Sequence, residues 1–367
     1  MEYLILYPED PSDRRDRSRI ERALGASREA LSSFGGGSEI RTGGELSERL
    51  EMRGGLKHRR LLFVISLDET GMNPVMYEFM HLLRKHPGCL EGSAAAVLTE
   101  GPGELYTKAA SREAAFTLNA CGAWLIGRPL CEATGSLKNQ VNAAAAMGCT
   151  PEEAFVRGAA DLSERLSRFD PPLTAHPKIL CLHTCNPATS NTFCLWQKIR
   201  KRLEPSCEVR EISLRGGSVH DCAGCSFATC MYFSKNESCY YGGPVVDEVY
   251  PALSWCDALI LLCPNYNDAI GAGLTATINR LTSLFRRRPF FDKQLYAVVV
   301  SGYSGGDLVA RQLIGSLGMN KSFMVPPGFV LYLTAGEPRE AASIPGIGEM
   351  ADAFASNLLE RLNHKSC

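Results

Sequence analysis

Between an apolar run ending at His183 and a helical pattern beginning near Thr192 lies the loop Thr184-Cys185-Asn186-Pro187-Ala188-Thr189-Ser190-Asn191-Thr192, dense in small hydroxyl and amide side chains. The first backbone N–H groups of a helix have no intrahelical partner and sit at the positive end of its dipole. Hydroxyls and amides gathered there suit a phosphate dianion. Thr184, Asn186, Ser190, Asn191 and Thr192 are therefore candidate phosphate ligands. Taken alone, Ser190-Asn191-Thr192 also reads as a plain helix cap.

Two further loops carry complementary chemistry. Pro264-Asn265-Tyr266-Asn267 comes after the apolar run Ala258–Cys263 and offers a stiff turn, a flat aromatic face and amides that match the donor and acceptor edge of a heteroaromatic ring. A packed tyrosine in an ordinary turn is the plainer reading of that stretch. Ser301-Gly302-Tyr303-Ser304-Gly305-Gly306 closes the run Leu295–Ser301, and its glycines let backbone approach a ligand closely. Together the three loops describe one crevice with a phosphate end and a planar end.

A fourth group is built of thiols. Cys222, Cys225, Cys230 and Cys239 are separated by two, four and eight residues, with His220 and Asp221 beside them. Such spacing allows an iron-sulfur cluster, a zinc ion or cysteines that bind no metal. Arg286-Arg287-Arg288 ends a helical pattern and reads as a dipole-pairing surface patch, with a nicotinamide-cofactor phosphate contact as the alternative. His81 and His86 flank a basic helix end and read as surface residues.

The elements that must position these loops alternate. Apolar runs fall at Ile179–Leu182, Val209–Leu214, Ala258–Cys263, Leu295–Ser301 and Phe329–Leu333, most of them continuous, as expected of strands buried on both faces. Helical patterns fall at Phe193–Leu203, Leu274–Phe285, Leu308–Leu317 and Ile347–Leu362. Strand alternating with helix predicts a parallel, doubly wound α/β sheet, whose ligands bind beyond the carboxyl ends of the strands.

At 367 residues the chain is long enough for two domains. Prolines at 171, 172 and 177 interrupt any regular pattern, so the reading is a first domain over 1–170, a linker over 171–177 and a second domain over 178–367. The first half reads as a worn copy of the second. Leu61–Ser66 parallels Ala258–Cys263, Ala96–Gly101 parallels Ala297–Gly302, and Tyr3–Tyr7 would be its first strand. The acidic stretch after that strand, Pro8-Glu9-Asp10-Pro11-Ser12-Asp13, would repel a phosphate, so the copy is expected to be degenerate.

A net charge of −1 gives no field suited to nucleic acid. No apolar run approaches the roughly 20 residues that span a bilayer. Fifteen cysteines set largely in apolar runs, behind an N-terminus without a signal-peptide pattern, point to a reducing, cytoplasmic setting.

Residues 178–335 resemble the NAD(P)H-dependent FMN reductases and the related iron-sulfur flavoproteins of the flavodoxin-like fold. In that family a Ser-Pro-Arg…Gly-Asn-Thr loop binds the FMN phosphate, and this chain offers Thr184 and then Ser190-Asn191-Thr192, with Asn186 able to donate where the family's arginine has no counterpart. The family's Pro-x-Tyr loop resembles Pro264-Asn265-Tyr266, its next helix Thr277-Ile278-Asn279-Arg280-Leu281, and its glycine-rich loop beside the flavin ring Ser301–Gly306. The resemblance implies two tandem flavodoxin-like sheets of strand order 2-1-3-4-5. It also implies FMN as cofactor and NAD(P)H as electron donor. The acceptor would be a quinone, a flavin or an iron-sulfur partner, and the family pairing a homodimer. Relatives with a 4Fe-4S cluster show a tighter cysteine spacing than Cys222, Cys225, Cys230 and Cys239. The alternatives are an electron carrier without turnover and a metal-thiolate protein on the same fold.

Overall fold

The computed structural model describes residues 2–33, 35–52, 54–217 and 219–363, so the last four positions of the expected second domain lie outside the described residues. The chain divides into two compact units, Met1–Asp170 and Pro171–Cys367.

The first unit runs β1 (Tyr3–Leu6), α1 (Ser18–Ser32), β2 (Gly37–Ile40), α2 (Gly43–Glu51), β3 (Arg60–Ser66), α3 (Pro74–Arg84), β4 (Ala94–Glu100), α4 (Thr107–Ala120), β5 (Trp124–Ala133), α5 (Val141–Met147) and α6 (Pro151–Ser167). Its strands are all parallel in the order β2-β1-β3-β4-β5. β3 and β4 are buried almost throughout, which explains why their sequences are continuous apolar runs rather than alternating ones.

The second unit repeats the plan with β6 (Lys178–His183), α7 (Asn191–Leu203), β7 (Glu208–Ser213), α8 (Phe227–Lys235), α9 (Tyr250–Trp255), β8 (Ala258–Pro264), α10 (Ala272–Arg287), β9 (Gln294–Ser301), α11 (Gly306–Leu313), β10 (Val330–Thr334) and α12 (Ile347–Leu362). Its parallel sheet is ordered β7-β6-β8-β9-β10. Both sheets thus have the 2-1-3-4-5 order of the flavodoxin-like doubly wound fold.

Two local departures from the sequence pattern have physical causes. β7 lies at a sheet edge, so its burial largely alternates and its sequence, Glu-Val-Arg-Glu-Ile-Ser, is polar at four of six positions. The helical pattern expected over Leu308–Leu317 divides into α11 and a π-helical stretch, Ile314–Met319, that keeps Ile314, Leu317 and Met319 buried. No helix among the described residues is long and apolar enough to cross a membrane.

Sheet order places one crevice per unit at the carboxyl edge, where connections leave in opposite directions on either side of the first strand. In the second unit, that edge carries all three loops singled out by composition. In the first unit, the equivalent connection carries its own ion pairs, which line a cavity of about 310 Å³ together with Pro8, Ser66 and Asn73. Arg17 joins Glu9 at 2.5 Å and Asp13 at 2.7 Å, and Arg15 pairs with the same Asp13.

Candidate functional site

The loop after β6 is a compact turn that ends in a capped helix. The Asn186 carbonyl accepts from the backbone N–H groups of Thr189 (3.2 Å) and Ser190 (2.9 Å), and its side-chain Oδ1 accepts from Ala188 N at 3.2 Å. Ser190 is the N-cap of α7, its hydroxyl accepting from Phe193 N at 3.2 Å. The backbone N–H groups of Asn191 and Thr192, in the first helical turn, belong to the set that no intrahelical carbonyl can satisfy.

Asn191 is differently engaged from the phosphate role its sequence position suggests. Its Nδ2 donates to the carbonyls of Glu337 (2.8 Å) and Ala335 (3.3 Å), while its Oδ1 accepts from Ala341 N (3.0 Å). The side chain therefore straps the segment after β10 to the start of α7. Thr192 is buried, whereas Thr184, Asn186 and Ser190 remain partly accessible. The strap is doubled by Arg339, whose backbone N–H donates to Thr189 O at 3.2 Å.

Beneath this loop sits His183, 1% exposed at the end of β6. Its Nδ1 accepts from Cys185 N at 3.2 Å, which leaves the ring proton on Nε2, 3.5 Å from Glu211 Oε1. Glu211 is fixed in turn by Trp196 Nε1 (2.7 Å) and by Arg200 (3.2 Å). Burial holds the His183 imidazole below its ordinary pKa, with Glu211 pulling the other way. Sequence reasoning missed this residue, since a histidine ending an apolar strand gives no motif.

The loops after β8 and β9 are joined through Asn265. Its Nδ2 lies 3.1 Å from Ser301 Oγ, 3.0 Å from Ser304 O and 3.2 Å from Asp268 Oδ1, and its backbone N–H donates to Val300 O at 2.8 Å. Its Oδ1 is buried without a hydrogen-bond partner. Asn267 and Asp268 take consecutive left-handed conformations, φ 53° and 55°, and Gln312 on α11 clamps the turn by donating to Asp268 O and accepting from Ile270 N.

Glycine is required at position 305 and is tightly packed at position 306. Gly305 has φ +82°, and a Cβ there would fall 1.9 Å from Asp268 Oδ1 and 3.1 Å from Asn265 Nδ2. At Gly306 a Cβ would meet the Tyr332 ring at 3.0 Å. Gly302 faces Gly336 across the crevice floor, with a Cβ 3.8 Å from Gly336 Cα. The two aromatic side chains expected beside a planar ligand are open, Tyr266 at 67% exposure and Tyr303 at 94%. Pro264 closes β8 and pairs in register with Val300.

The first and second loops also meet. A Cβ on Gly273, in the first turn of α10, would lie 2.8 Å from Thr184 Cγ2, and one on Gly271 3.7 Å from Thr184 Oγ1. The structure thus brings Thr184, Ser190, Asn265, Tyr266, Asn267, Ser301, Gly302, Tyr303, Gly305 and Gly306 to one sheet edge.

The four thiols expected as metal ligands all lie on the segment around α8, where Cys225, Cys239 and Cys222 act electrostatically on Cys230. Among the described residues no group of three or more histidine, cysteine or acidic side chains lies close enough to hold a metal ion. Cys222 is exposed on the coil before α8, Cys225 precedes the Ser226 N-cap, Cys230 belongs to α8, and Cys239 lies beyond its end. In the arginine run Arg287 and Arg288 are exposed, Arg288 lying 3.7 Å from Glu237, whereas Arg286 is half-buried over the Phe227 ring at 4.4 Å with its Nη1 buried and without a hydrogen-bond partner.

Residues 177–335 form a domain of the NADPH-dependent FMN reductase family. Among solved structures the chain is similar to RosB with bound 8-demethyl-8-formylriboflavin-5'-phosphate, at 13% identity and TM-score 0.39, over 50% of this chain and 78% of that one. It is similar to an azoreductase from Bacillus anthracis at 12% identity and TM-score 0.34, over 50% of this chain and 97% of that one. A WrbA-like flavodoxin from Agrobacterium tumefaciens matches at 11% identity and TM-score 0.33, over 51% and 96% of the two chains. No curated protein matches the sequence.

Proposed function

We propose that the second unit binds FMN non-covalently in the crevice of the three loops, and that the protein is an oxidoreductase taking hydride from NAD(P)H and passing electrons to a quinone, flavin or iron-sulfur acceptor. The observation that carries this reading is the Asn265 junction. One side chain ties two loops together through its amide N–H groups while its Oδ1 stays buried and unpartnered. A buried acceptor with no donor costs about 1–3 kcal/mol. A planar ring with an imide N–H at its edge would supply the missing donor.

The rest of the crevice fits the same group. The N-terminal turn of α7 provides backbone N–H groups and dipole for a phosphate, with the Thr184 and Ser190 hydroxyls beside it. Gly305 and Gly306 let the loop after β9 pack closely on Asp268 and Tyr332, which sets its place at the crevice edge. FMN, when bound, supplies the hydride-accepting ring, and the protein supplies position and electrostatics. Tyr266 and Tyr303 offer open faces for the ring and for the nicotinamide that must lie against it.

Anaerobic addition of NADPH to FMN-loaded protein separates this enzyme from an electron carrier of the same fold. Rapid, catalytic oxidation of NADPH with a quinone present is the expected result. FMN binding without NAD(P)H turnover would leave the carrier.

A further inference from the structure

The first sheet has a crevice of its own at the same carboxyl edge, and its chemistry differs from that of the second. Beside the hollow of about 310 Å³ lies a larger one of about 540 Å³, and the two share Arg15 and Ser66 as a common wall. The larger hollow is lined by Ser66 and Glu100, the last residues of β3 and β4, which pair in register. By the internal parallel of the two halves, Glu100 stands where the second unit has Ser301. A neutral hydroxyl in one crevice is thus replaced by a carboxyl in the other.

Glu100 is 6% exposed, and its partners leave it capacity to spare. Its Oε1 accepts from Ser66 Oγ at 3.2 Å and its Oε2 from Arg19 Nε at 2.9 Å. An ionised carboxylate offers about four lone-pair sites, so about half remain open. Burial raises the Glu100 pKa in spite of Arg19, the mark of a carboxylate whose lost hydration is incompletely replaced. The arginines beside it are already engaged. Arg19 sends Nη1 to Thr134 O (3.3 Å) and Nη2 to Gly101 O (3.2 Å). Arg15 sends Nη1 to Leu67 O (2.5 Å), and its Nε and Nη2 to the Asp13 carboxylate. Every nitrogen of both guanidinium groups therefore has an acceptor from the chain.

Charge decides which ligand fits. Four acids, Asp16, Glu69, Glu100 and Glu152, line the larger hollow against two bases, Arg15 and Arg19, a net of −2. A phosphate or a carboxylate would meet a repelling field and find the arginines occupied. A cation would meet an attractive field and open acceptor sites. Leu67, Gly101 and Pro102 supply an apolar wall for a short carbon frame, and the volume is that of a small-molecule site.

We propose that the first unit binds a small organic cation, with its guanidinium or ammonium N–H groups directed to Glu100 and its carbon frame against Leu67 and Pro102. The site lies wholly within the first unit and does not depend on the FMN reading of the second. The worn copy has then exchanged a phosphate seat for a cation seat.

The test titrates agmatine, which carries a guanidinium and an ammonium on a short aliphatic chain, into the full chain by isothermal calorimetry, with inorganic phosphate as the control. Saturable binding at one site per chain is expected for agmatine and none for phosphate. Glu100→Gln keeps the shape and removes the charge, and should raise the dissociation constant about tenfold or more. That change also loosens Arg19, so a second variant decides the matter if the first fails to fold. Glu69→Lys reverses an exposed charge and leaves the Arg19–Glu100 pair in place. It should weaken agmatine binding with the melting temperature unchanged. Hydrogen exchange locates the site: agmatine should slow exchange in residues 94–103 and leave the loops of the second unit as they were. No saturable agmatine binding, an affinity that the folded variants leave at the parental value, tighter binding of phosphate, or protection confined to the second unit would each overturn the proposal. Since no flavin is added, the FMN reading stands or falls separately.

Discussion

Asn265 Nδ2 lies 3.1 Å from Ser301 Oγ, a side-chain bridge between the ends of β8 and β9. The same amide reaches Ser304 O, so one residue sets the spacing of the two loops that flank the planar end of the crevice. Replacing Asn265 by alanine removes this bridge together with the buried acceptor. The dissociation constant for FMN should rise about tenfold or more, the equivalent of roughly 1.4 kcal/mol. Quenching of flavin fluorescence measures it.

Gly305→Ala forces a side chain into a left-handed backbone position at a cost of about 1–2 kcal/mol, and onto the Asp268 carboxylate as well. The variant should fold with a lowered melting temperature and lose FMN affinity. Thermal unfolding followed by circular dichroism gives the first quantity and an FMN titration the second. A variant as stable as the parent would remove the strain argument.

Asn191→Ala is expected to act through the fold. Its amide holds Ala335, Glu337 and Ala341 to the start of α7, and leaving those groups unpaired should cost about 1–3 kcal/mol in denaturant unfolding. Hydrogen exchange should quicken in residues 335–341. Lost FMN binding with unchanged stability would instead assign Asn191 to the phosphate.

His183 gives a pH dependence of known sign. Burial holds its folded pKa below the ordinary value, so near pH 6.5 the unfolded chain binds the proton first. Stability therefore falls as pH drops through the ordinary histidine range, and levels off once the folded imidazole is also protonated. Protonation at Nδ1 would also break the bond from Cys185 N that shapes the candidate phosphate loop. In His183→Asn, which keeps an acceptor near that position and does not titrate, this part of the slope should vanish. Urea unfolding of both proteins at several pH values between about 5 and 7.5 measures the difference, and parallel curves would contradict it.

Much of the fold was legible because parallel strands buried on both faces are written as continuous apolar runs. Ala258–Cys263 and Leu295–Ser301 both mark strands of the second sheet, and Ile347–Leu362 coincides with α12. The edge strand β7 was readable only as a weaker run, since half of its side chains face solvent. The loops were legible from composition, but the partners of their side chains were not. Asn191 and Thr192 are adjacent in a phosphate-like tripeptide, yet one straps a distant segment and the other is buried. Which groups they meet depends on residues 335–341, far along the chain. The thiols illustrate the same limit. Spacing alone allowed a metal centre, whereas no group of three or more ligating side chains that could hold a metal ion forms among the described residues.

The central claim is that the second unit holds FMN in the three-loop crevice where NAD(P)H can reduce it. Its most direct measurement is an anaerobic visible spectrum of the full chain, loaded with FMN, passed through gel filtration and titrated with NADPH. The account predicts that FMN co-elutes with the protein in equimolar amount and that its visible band bleaches stoichiometrically with NADPH. Protein that elutes without flavin, or a band that NADPH and NADH both leave unchanged, would contradict it.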